Sequence, residues 1–144
     1  MPIVMDDLKV LALVGSLKLS AMYVALIVLM AIALAFLVIV QRRSKLIGMG
    51  DGGDKTAARM IRVHGNFCEN APFAMALLVL LPLVGVGSMI IHLVGGLFLV
   101  GRVAHAFGLS SSGGKSLGRV IGMVLTFSSL LIGAGSLLFA VFAR

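Results

Sequence analysis

The chain has 144 residues, of which 60% are hydrophobic and only 12% are charged. Water-soluble domains carry about a quarter of charged residues, so a soluble fold of this length would expose large apolar patches. The composition therefore excludes a soluble globular protein and indicates an integral membrane protein. The net charge of +7 does not indicate nucleic-acid binding, because the basic residues form no patch interleaved with aromatic rings and the chain has no Trp.

The first apolar run covers residues 19–40 and continues upstream through a milder stretch from Leu8. About 20 apolar residues cross a bilayer, so we predict a first helix over roughly residues 9–41. The residues before it do not resemble a secretory signal peptide, because Asp6 and Asp7 stand where basic residues belong.

Three further spans follow the first. A Gly-rich polar loop over residues 48–55 leads into a second predicted helix, whose polar first half and apolar second half are divided by Pro72, where we expect a kink. The loop SSSGGKS before the last span departs by one residue from the phosphate-loop spacing, and no strand precedes it. The sequence predicts one all-α domain over residues 1–144, a four-transmembrane-helix bundle with its last three helices at roughly 57–82, 89–109 and 117–142.

Basic residues sort the loops by membrane side. The loops after the first and third predicted helices carry Arg42, Arg43, Lys45, Lys55 and Lys115, with Arg59, Arg62 and Arg119 at the adjoining helix ends. The opposite face has only Lys9, Lys18 and Arg144. The positive-inside rule therefore predicts that both basic loops are cytoplasmic and that both termini lie outside.

Ionisable groups within spans are costly, so each is a candidate for a functional site. At 100° per residue, five polar residues fall within about a third of the circumference of the second helix: Arg59, Arg62, Asn66, Glu69 and Asn70. The third helix adds Arg102 and His105 near the same membrane face, and the other helices bring Arg42, Arg43 and Arg119. Many arginines with a single acid predict an anionic ligand.

Simpler interpretations stay open. Arginines that snorkel toward anionic lipid account for Arg42, Arg43 and Lys45. Polar contacts between helices could account for Asn66, Glu69 and Asn70. No metal site is predicted, and haem ligation by His64 and His105 is disfavoured because His64 points away from the polar stripe. The single cysteine, Cys68, excludes an internal disulfide and reads as a packed small residue.

The polar half of the second helix, RMIRVHGNFCENAP at residues 59–72, resembles the signature of the MAPEG family, the membrane-associated proteins in eicosanoid and glutathione metabolism. That signature reads R-x-x-R-x-[HQ]-x-N-x-x-E-[NY]-x-P. The segment GRVAHAFGL at residues 101–109 resembles the family's G-R-x-x-H-x-x-x-[YL], and GLSSSGGKSLGRVIGMVLT looks most like small bacterial members. The resemblance covers essentially the whole chain.

The resemblance implies a homotrimer in a bacterial inner membrane, with glutathione bound between protomers near the cytoplasmic face. It implies that the following residues bind glutathione: Arg42, Arg43, Arg59, Arg62, His64, Asn66, Glu69, Asn70, Arg102 and His105. The implied reaction is attack of the glutathione thiolate on a lipid-soluble electrophile or a lipid hydroperoxide, since a nearby cation favours a thiolate. Arg119 and Arg43 are the catalytic candidates, although the family's arginine aligns nearer Ser116 unless a gap is allowed.

One departure from the family pattern bears on the substrate. Eicosanoid-synthesising members have tyrosines in the third helix, whereas one of those positions here is Leu109 and the only tyrosine is Tyr23. A specific eicosanoid activity is therefore not expected. The leading hypothesis is a membrane-bound glutathione transferase or peroxidase. The alternatives are a non-catalytic trimeric protein of the same fold and a small proton-coupled transporter that uses Glu69.

Overall fold

The computed structural model describes residues 2–111 and 114–143, and every regular element in that part of the chain is an α-helix. The helices are α1 Pro2–Ser44, α2 Lys55–Leu83, α3 Ser88–Ser111 and α4 Leu117–Phe142. Each is long and apolar enough to cross a membrane. The predicted four-helix membrane bundle is therefore confirmed, while Arg144 and residues 112–113 of the SSSGGKS loop lie outside the described residues.

The first helix is longer than the sequence predicts. It begins at Pro2 rather than near residue 9, because the charged residues Asp6, Asp7 and Lys9 belong to the helix instead of preceding it. It ends at Ser44 rather than at 41. At about 1.5 Å per residue its 43 residues extend over roughly 64 Å, about twice the hydrocarbon thickness of a bilayer. Part of α1 therefore projects beyond the membrane. α2 continues without a break through Pro72 and Pro82.

Two of the four helices form a central pair, and the other two pack on the outside of it. α2 and α3 occupy the middle, α1 packs against them on one side and α4 on the other, and the described parts of α1 and α4 do not touch each other. The buried core between them includes Ile27, Leu34, Val63, Phe67, Ala74, Leu78, Ile91, Val94 and Phe98. Side-chain hydrogen bonds between Ser16 and Ser88 and between Tyr23 and His92 join α1 to α3, toward the membrane face at which α3 begins.

The α3–α4 interface depends on glycine. A Cβ atom on Gly122 would lie 2.6 Å from the carbonyl oxygen of Gly101 and 2.6 Å from the backbone nitrogen of His105. A Cβ atom on Gly108 would meet the backbone nitrogen of Arg119 at 2.5 Å. Small residues let helix backbones approach this closely in membranes. The same approach brings polar side chains of α3 and α4 together at one membrane face.

We call that face the basic face: α1 and α3 end there, and α2 and α4 begin there. α2 starts at this face because Asp54 caps it, its carboxylate accepting from the backbone N–H groups of Thr56 and Ala57 at 2.9 and 2.8 Å. Lys45 approaches the second carboxylate oxygen at 3.4 Å. The bond from Ala57, with a contribution from Lys45, holds the pKa of Asp54 below its ordinary value of 3.8.

The cap predicts an acid-dependent loss of stability. The folded-state pKa of Asp54 is lowered, so the ionised carboxylate stabilises the folded protein. This contribution to stability is complete above the unfolded-state pKa of about 3.9 and is lost as the pH falls through the folded-state pKa. We expect the midpoint temperature of thermal unfolding in detergent to decrease when the pH is lowered below about 4. Asparagine caps helices without titrating, so Asp54→Asn should show a smaller fall over that range. Equal acid dependence of the two proteins, followed by circular dichroism, would contradict this role for Asp54.

Candidate functional site

The polar stripe of α2 contains a two-point ion pair. Nη1 of Arg62 donates to Oε1 of Glu69 at 2.8 Å, and Nη2 approaches Oε2 at 3.4 Å. Nδ2 of Asn66 donates to the same Oε2 at 3.4 Å. Both charged side chains are exposed in the protomer. The sequence-predicted stripe therefore presents one bonded pair of opposite charges on the outer surface of α2.

Arg102 lies behind this stripe and is 2% exposed. Its Nη1 donates to Oδ1 of Asn66 at 2.6 Å, and its Nε donates to Oγ1 of Thr126 at 2.9 Å. The sulfur of Met123 lies 3.4 Å from its Nη2. All of these acceptors are uncharged. The guanidinium thus links α2, α3 and α4, and its charge has no carboxylate partner among the described residues.

The two arrangements are parts of one network. Asn66 donates to Glu69 and accepts from Arg102, so hydrogen bonds run without a gap from the exposed Arg62 to the buried Thr126. Asn70 extends the network, because its Nδ2 donates to the backbone carbonyl of Asn66 at 2.8 Å. Through this network, the buried arginine can fix the orientation of the buried amide of Asn66 and, through it, of the exposed carboxylate of Glu69.

A cavity of about 510 Å³, which we call the site cavity, opens beside this network. Its polar wall is formed by Asn66, His105, Lys115, Ser116 and Arg119, and its apolar wall by Val120, Met123, Val124 and Phe127. Ser116 caps α4, and Nη1 of Arg119 donates to the carbonyl of Gly114 at 2.7 Å. The cavity is within the size range of small-molecule sites. Its lining offers cationic and hydrogen-bonding groups together with apolar side chains compatible with lipid.

The remaining predicted site residues lie elsewhere. Arg42 and Arg43 border a separate cleft at the end of α1, which shares no lining residue with the site cavity. His64 is on the far side of α2, where its Nε2 lies 3.5 Å from Sγ of Cys68, which is exposed rather than packed. Arg59 donates to Thr56. One protomer therefore does not bring the arginines of α1 to those of α3 and α4.

Sequence reasoning missed several residues at this site, including three that contact Arg102 or add charge to the site cavity. Thr126 and Met123 contact Arg102, and Lys115 lines the site cavity. One available signal was the hydroxyl of Thr126 within a span, since polar groups in spans need partners. A larger cavity of about 580 Å³ at the other membrane face has no ionisable side chain in its lining and offers no comparable chemistry.

Comparisons with known proteins find a family model and two relatives that match this chain. A family model described as the MAPEG family matches residues 20–139. The inner membrane protein YecN of Escherichia coli K12 is 33% identical over 89 residues, which are 62% of this chain and 68% of that protein. YecN of a second Escherichia coli strain, O6:H1, matches to the same extent.

Proposed function

Because this chain belongs to the MAPEG family, we propose that it binds glutathione at its basic face and either transfers the thiol to lipid-soluble electrophiles or uses it to reduce lipid hydroperoxides. The observation that carries the proposal is the site cavity, whose lining combines the cationic Lys115 and Arg119 with the apolar Val120, Val124 and Phe127. A water-soluble thiol and a lipid-soluble partner need these two surfaces side by side.

The charges of the site match those of glutathione, which has two carboxylates and one ammonium group. Lys115 and Arg119 are available to carboxylates, and the exposed carboxylate of Glu69 is available to an ammonium group while Arg62 and Asn66 hold it in position. A free thiol has a pKa of about 8.5, so a guanidinium near the sulfur would increase the thiolate fraction at neutral pH. Arg119 is our candidate for that group, because it stands where the polar and apolar walls meet.

No bond to the protein forms or breaks in the proposed reactions. In transfer, the thiolate sulfur bonds to an electrophilic carbon as a leaving group departs. With a hydroperoxide, the sulfur bonds to the terminal oxygen as the O–O bond breaks, and the lipid leaves as an alcohol. A second glutathione then converts the resulting sulfenic acid to disulfide and water. The residues of the chain supply position and charge. An electrophile dissolved in the bilayer can reach the cavity along Val120, Val124 and Phe127, which are exposed on α4.

Homotrimer formation is part of the proposal. In one protomer α1 and α4 lie on opposite sides of the central pair, so the α1 arginines could meet the site cavity only across a boundary between protomers. The outer face of α2 also exposes Pro72, Phe73 and Ala76, a surface suited to a neighbouring helix. Native mass spectrometry in detergent tests this: three copies support the proposal, and a monomer would remove any role for the α1 arginines in glutathione binding.

We further propose an inner-membrane location, as the name of the YecN relative states for that protein, with the basic face in the cytoplasm. Glutathione is a cytoplasmic thiol, so this orientation would bring the site cavity to it. Labelling of single cysteines in intact cells tests the orientation. In a Cys68→Ala background, the thiol of Leu46→Cys should be protected from an impermeant maleimide, and labelling from outside would reverse the assignment.

The first experiment is calorimetry with glutathione on detergent-purified protein, with ultraviolet absorbance of the thiolate recorded on the same sample. Binding with a thiolate signal at neutral pH supports catalysis. Binding without it, and without turnover of a generic electrophile, would favour the non-catalytic alternative. The transporter alternative would require Glu69 to leave its bonds to Arg62 and Asn66 to carry a proton, and proton-coupled flux lost in Glu69→Gln would revive it.

Two substitutions test the residues. Arg62→Ala and Glu69→Gln should each weaken glutathione binding by about tenfold while the oligomer stays intact, because each removes one charge from a two-point ion pair. Lys18→Gln, an exposed charge toward the opposite membrane face, is the control and should bind as the unmodified protein does. Unchanged affinity in both site variants would show that α2 does not contact the ligand.

A further inference from the structure

The first helix extends beyond the rest of the bundle at the membrane face opposite the basic face. Ser16 is hydrogen-bonded to Ser88, the first residue of α3, at 3.1 Å. We call residues 5–15 of α1, which precede this bond, the arm. At about 1.5 Å per residue, the arm rises roughly 16 Å beyond the start of α3. The match to the family model begins at residue 20, so the arm lies outside the matched part of the chain.

The last turns of α4 project at the same face. Ser129 of α4 donates to the carbonyl of Val94 of α3 at 2.7 Å, and the two helices run in opposite directions. Six residues further along each helix, Ser88 is therefore level with Gly135. Residues 136–142, which we call the α4 end, continue for about 10 Å beyond the start of α3. The arm and the α4 end thus lie at the same height.

Both projections lie outside the hydrocarbon of the membrane. Residues 19–40 are long enough to cross it, and the exposed Lys18 stands directly before them. A lysine at the end of a span places its charge at the membrane border. Asp6 and Lys9, which approach each other at 3.8 Å, place the first turn of the arm in water. The apolar part of α1 is therefore longer than the bilayer requires.

The two projections expose large apolar side chains at this height. On the arm, Leu8 and Leu11 are 61% and 68% exposed, and on the α4 end Phe139 and Phe142 are 74% and 79% exposed. The α4 end also stands away from the turn between α2 and α3, which leaves the cavity of about 580 Å³ beside Phe139. Apolar groups gathered outside the membrane mark a surface for contact with protein.

The positions of the two projections indicate that each covers the other in a neighbouring copy. α1 and α4 flank the central pair on opposite sides and do not touch within the described protomer. Each protomer therefore carries an arm on one side and an α4 end on the other. In a ring of equally oriented copies, the arm of one protomer faces the α4 end of the next. Such a head-to-tail contact repeats around a closed ring and leaves no copy without a partner.

We propose that the arm of each protomer packs against the α4 end of the next protomer, outside the hydrocarbon of the membrane. Leu8 and Leu11 contact Phe139 and Phe142 across the boundary. This contact rests on the homotrimer of the proposed function and goes beyond it, because it assigns a surface that joins protomers at the face distant from the site cavity. It uses no residue of the basic face.

Disulfide trapping in the full-length protein tests the contact. In a Cys68→Ala background, oxidation of membranes that contain Leu11→Cys together with Phe139→Cys should give covalent dimers and trimers on a denaturing gel. A disulfide within one protomer is not expected, because α1 and α4 do not touch. The matched control pairs Leu11→Cys with Leu131→Cys, a residue of α4 that is also 74% exposed but lies about 12 Å deeper. This control should remain monomeric on the gel.

A substitution on the arm tests how strongly the contact holds the protomers together. Leu11→Ser should raise, by about tenfold, the protein concentration at which half of the protomers are trimeric, because a leucine side chain no longer becomes buried at each boundary. Native mass spectrometry of a dilution series in detergent measures this. The control is Met89→Ser, which removes an 83% exposed side chain at the start of α3 and should dissociate as the unmodified protein does.

Three results would overturn the proposal. A trimer in which residues 11 and 139 form no disulfide would reject the arm contact and leave the homotrimer standing. Covalent dimers from Leu11→Cys alone would show that the arms meet one another instead of the α4 end. A monomer would reject the homotrimer and the arm contact together. Glutathione calorimetry on the unmodified protein is independent of all three, so failure of this contact and failure of the thiol-transfer proposal are distinguishable.

Discussion

Replacing Asn66 by leucine should lower the free energy of unfolding by about 2–4 kcal/mol. Oδ1 of Asn66 is the closest acceptor of the buried Arg102, at 2.6 Å, and leucine would take its place without accepting a hydrogen bond. The guanidinium would keep Thr126 and the sulfur of Met123, which is a weak acceptor. Leaving a buried charge short of acceptors costs far more than losing an exposed hydrogen bond.

The measurement is thermal unfolding in detergent, with glutathione calorimetry on the same sample. Asn66→Leu should also abolish detectable glutathione binding, because Glu69 loses a donor and the site cavity loses part of its polar wall. The matched control is Asn70→Leu, one turn further along α2, which removes a bond to a backbone carbonyl and should cost about 0.5–1.5 kcal/mol. Equal losses of unfolding free energy in the two variants would mean that the hydrogen bond from Arg102 to Asn66 stabilises the protein no more than the bond made by Asn70.

Gly122→Ala, which adds a single methyl group, is expected to be strongly destabilising. The added Cβ would lie 2.6 Å from the carbonyl oxygen of Gly101 and 2.6 Å from the backbone nitrogen of His105. Backbone atoms cannot rotate away as a side chain can, so α3 and α4 must separate. We expect a loss of about 1–3 kcal/mol in unfolding free energy and weaker glutathione binding, since His105 would shift relative to Asn66.

Gly135→Ala is the matched control, because it adds the same methyl group to the same helix where nothing lies within 4 Å. Alanine favours helix over glycine, so this variant should be as stable as the unmodified protein or more stable, by up to about 1 kcal/mol. Comparable losses in the two variants would show that glycine matters for helix formation in general, and that the α3–α4 contact is less close than described.

The parts of the site that lie on one helix could be predicted from sequence. Residues 62, 66 and 69 share a face of any regular helix, so the contacts among Arg62, Asn66 and Glu69 follow from spacing alone. The four spans follow from hydropathy in the same way. Both predictions depend on local geometry, which a short stretch of sequence determines.

The contacts between helices could not be predicted from sequence. The bond from Arg102 to Thr126 depends on how α3 and α4 are rotated about their axes, which the glycine contacts at Gly101 and Gly122 determine. The α1 arginines show the same limit. Hydropathy correctly predicts that they and Arg119 reach one membrane face, but a shared depth does not imply a shared cavity.

Arg102 also has a consequence for how the protein enters the bilayer. An arginine in the middle of a span costs about 2.5–3.5 kcal/mol at insertion, and its bonding partners here belong to α2 and α4. α3 is apolar enough to cross a membrane, but it should insert less favourably alone than beside the partners of Arg102. α4 begins only a few residues after α3, and its described residues after Arg119 carry no charge. The two helices can therefore leave the translocon together as a hairpin. Biogenesis of this fold should thus proceed by paired insertion of the C-terminal half, with the arginine satisfied only once α2 is beside it.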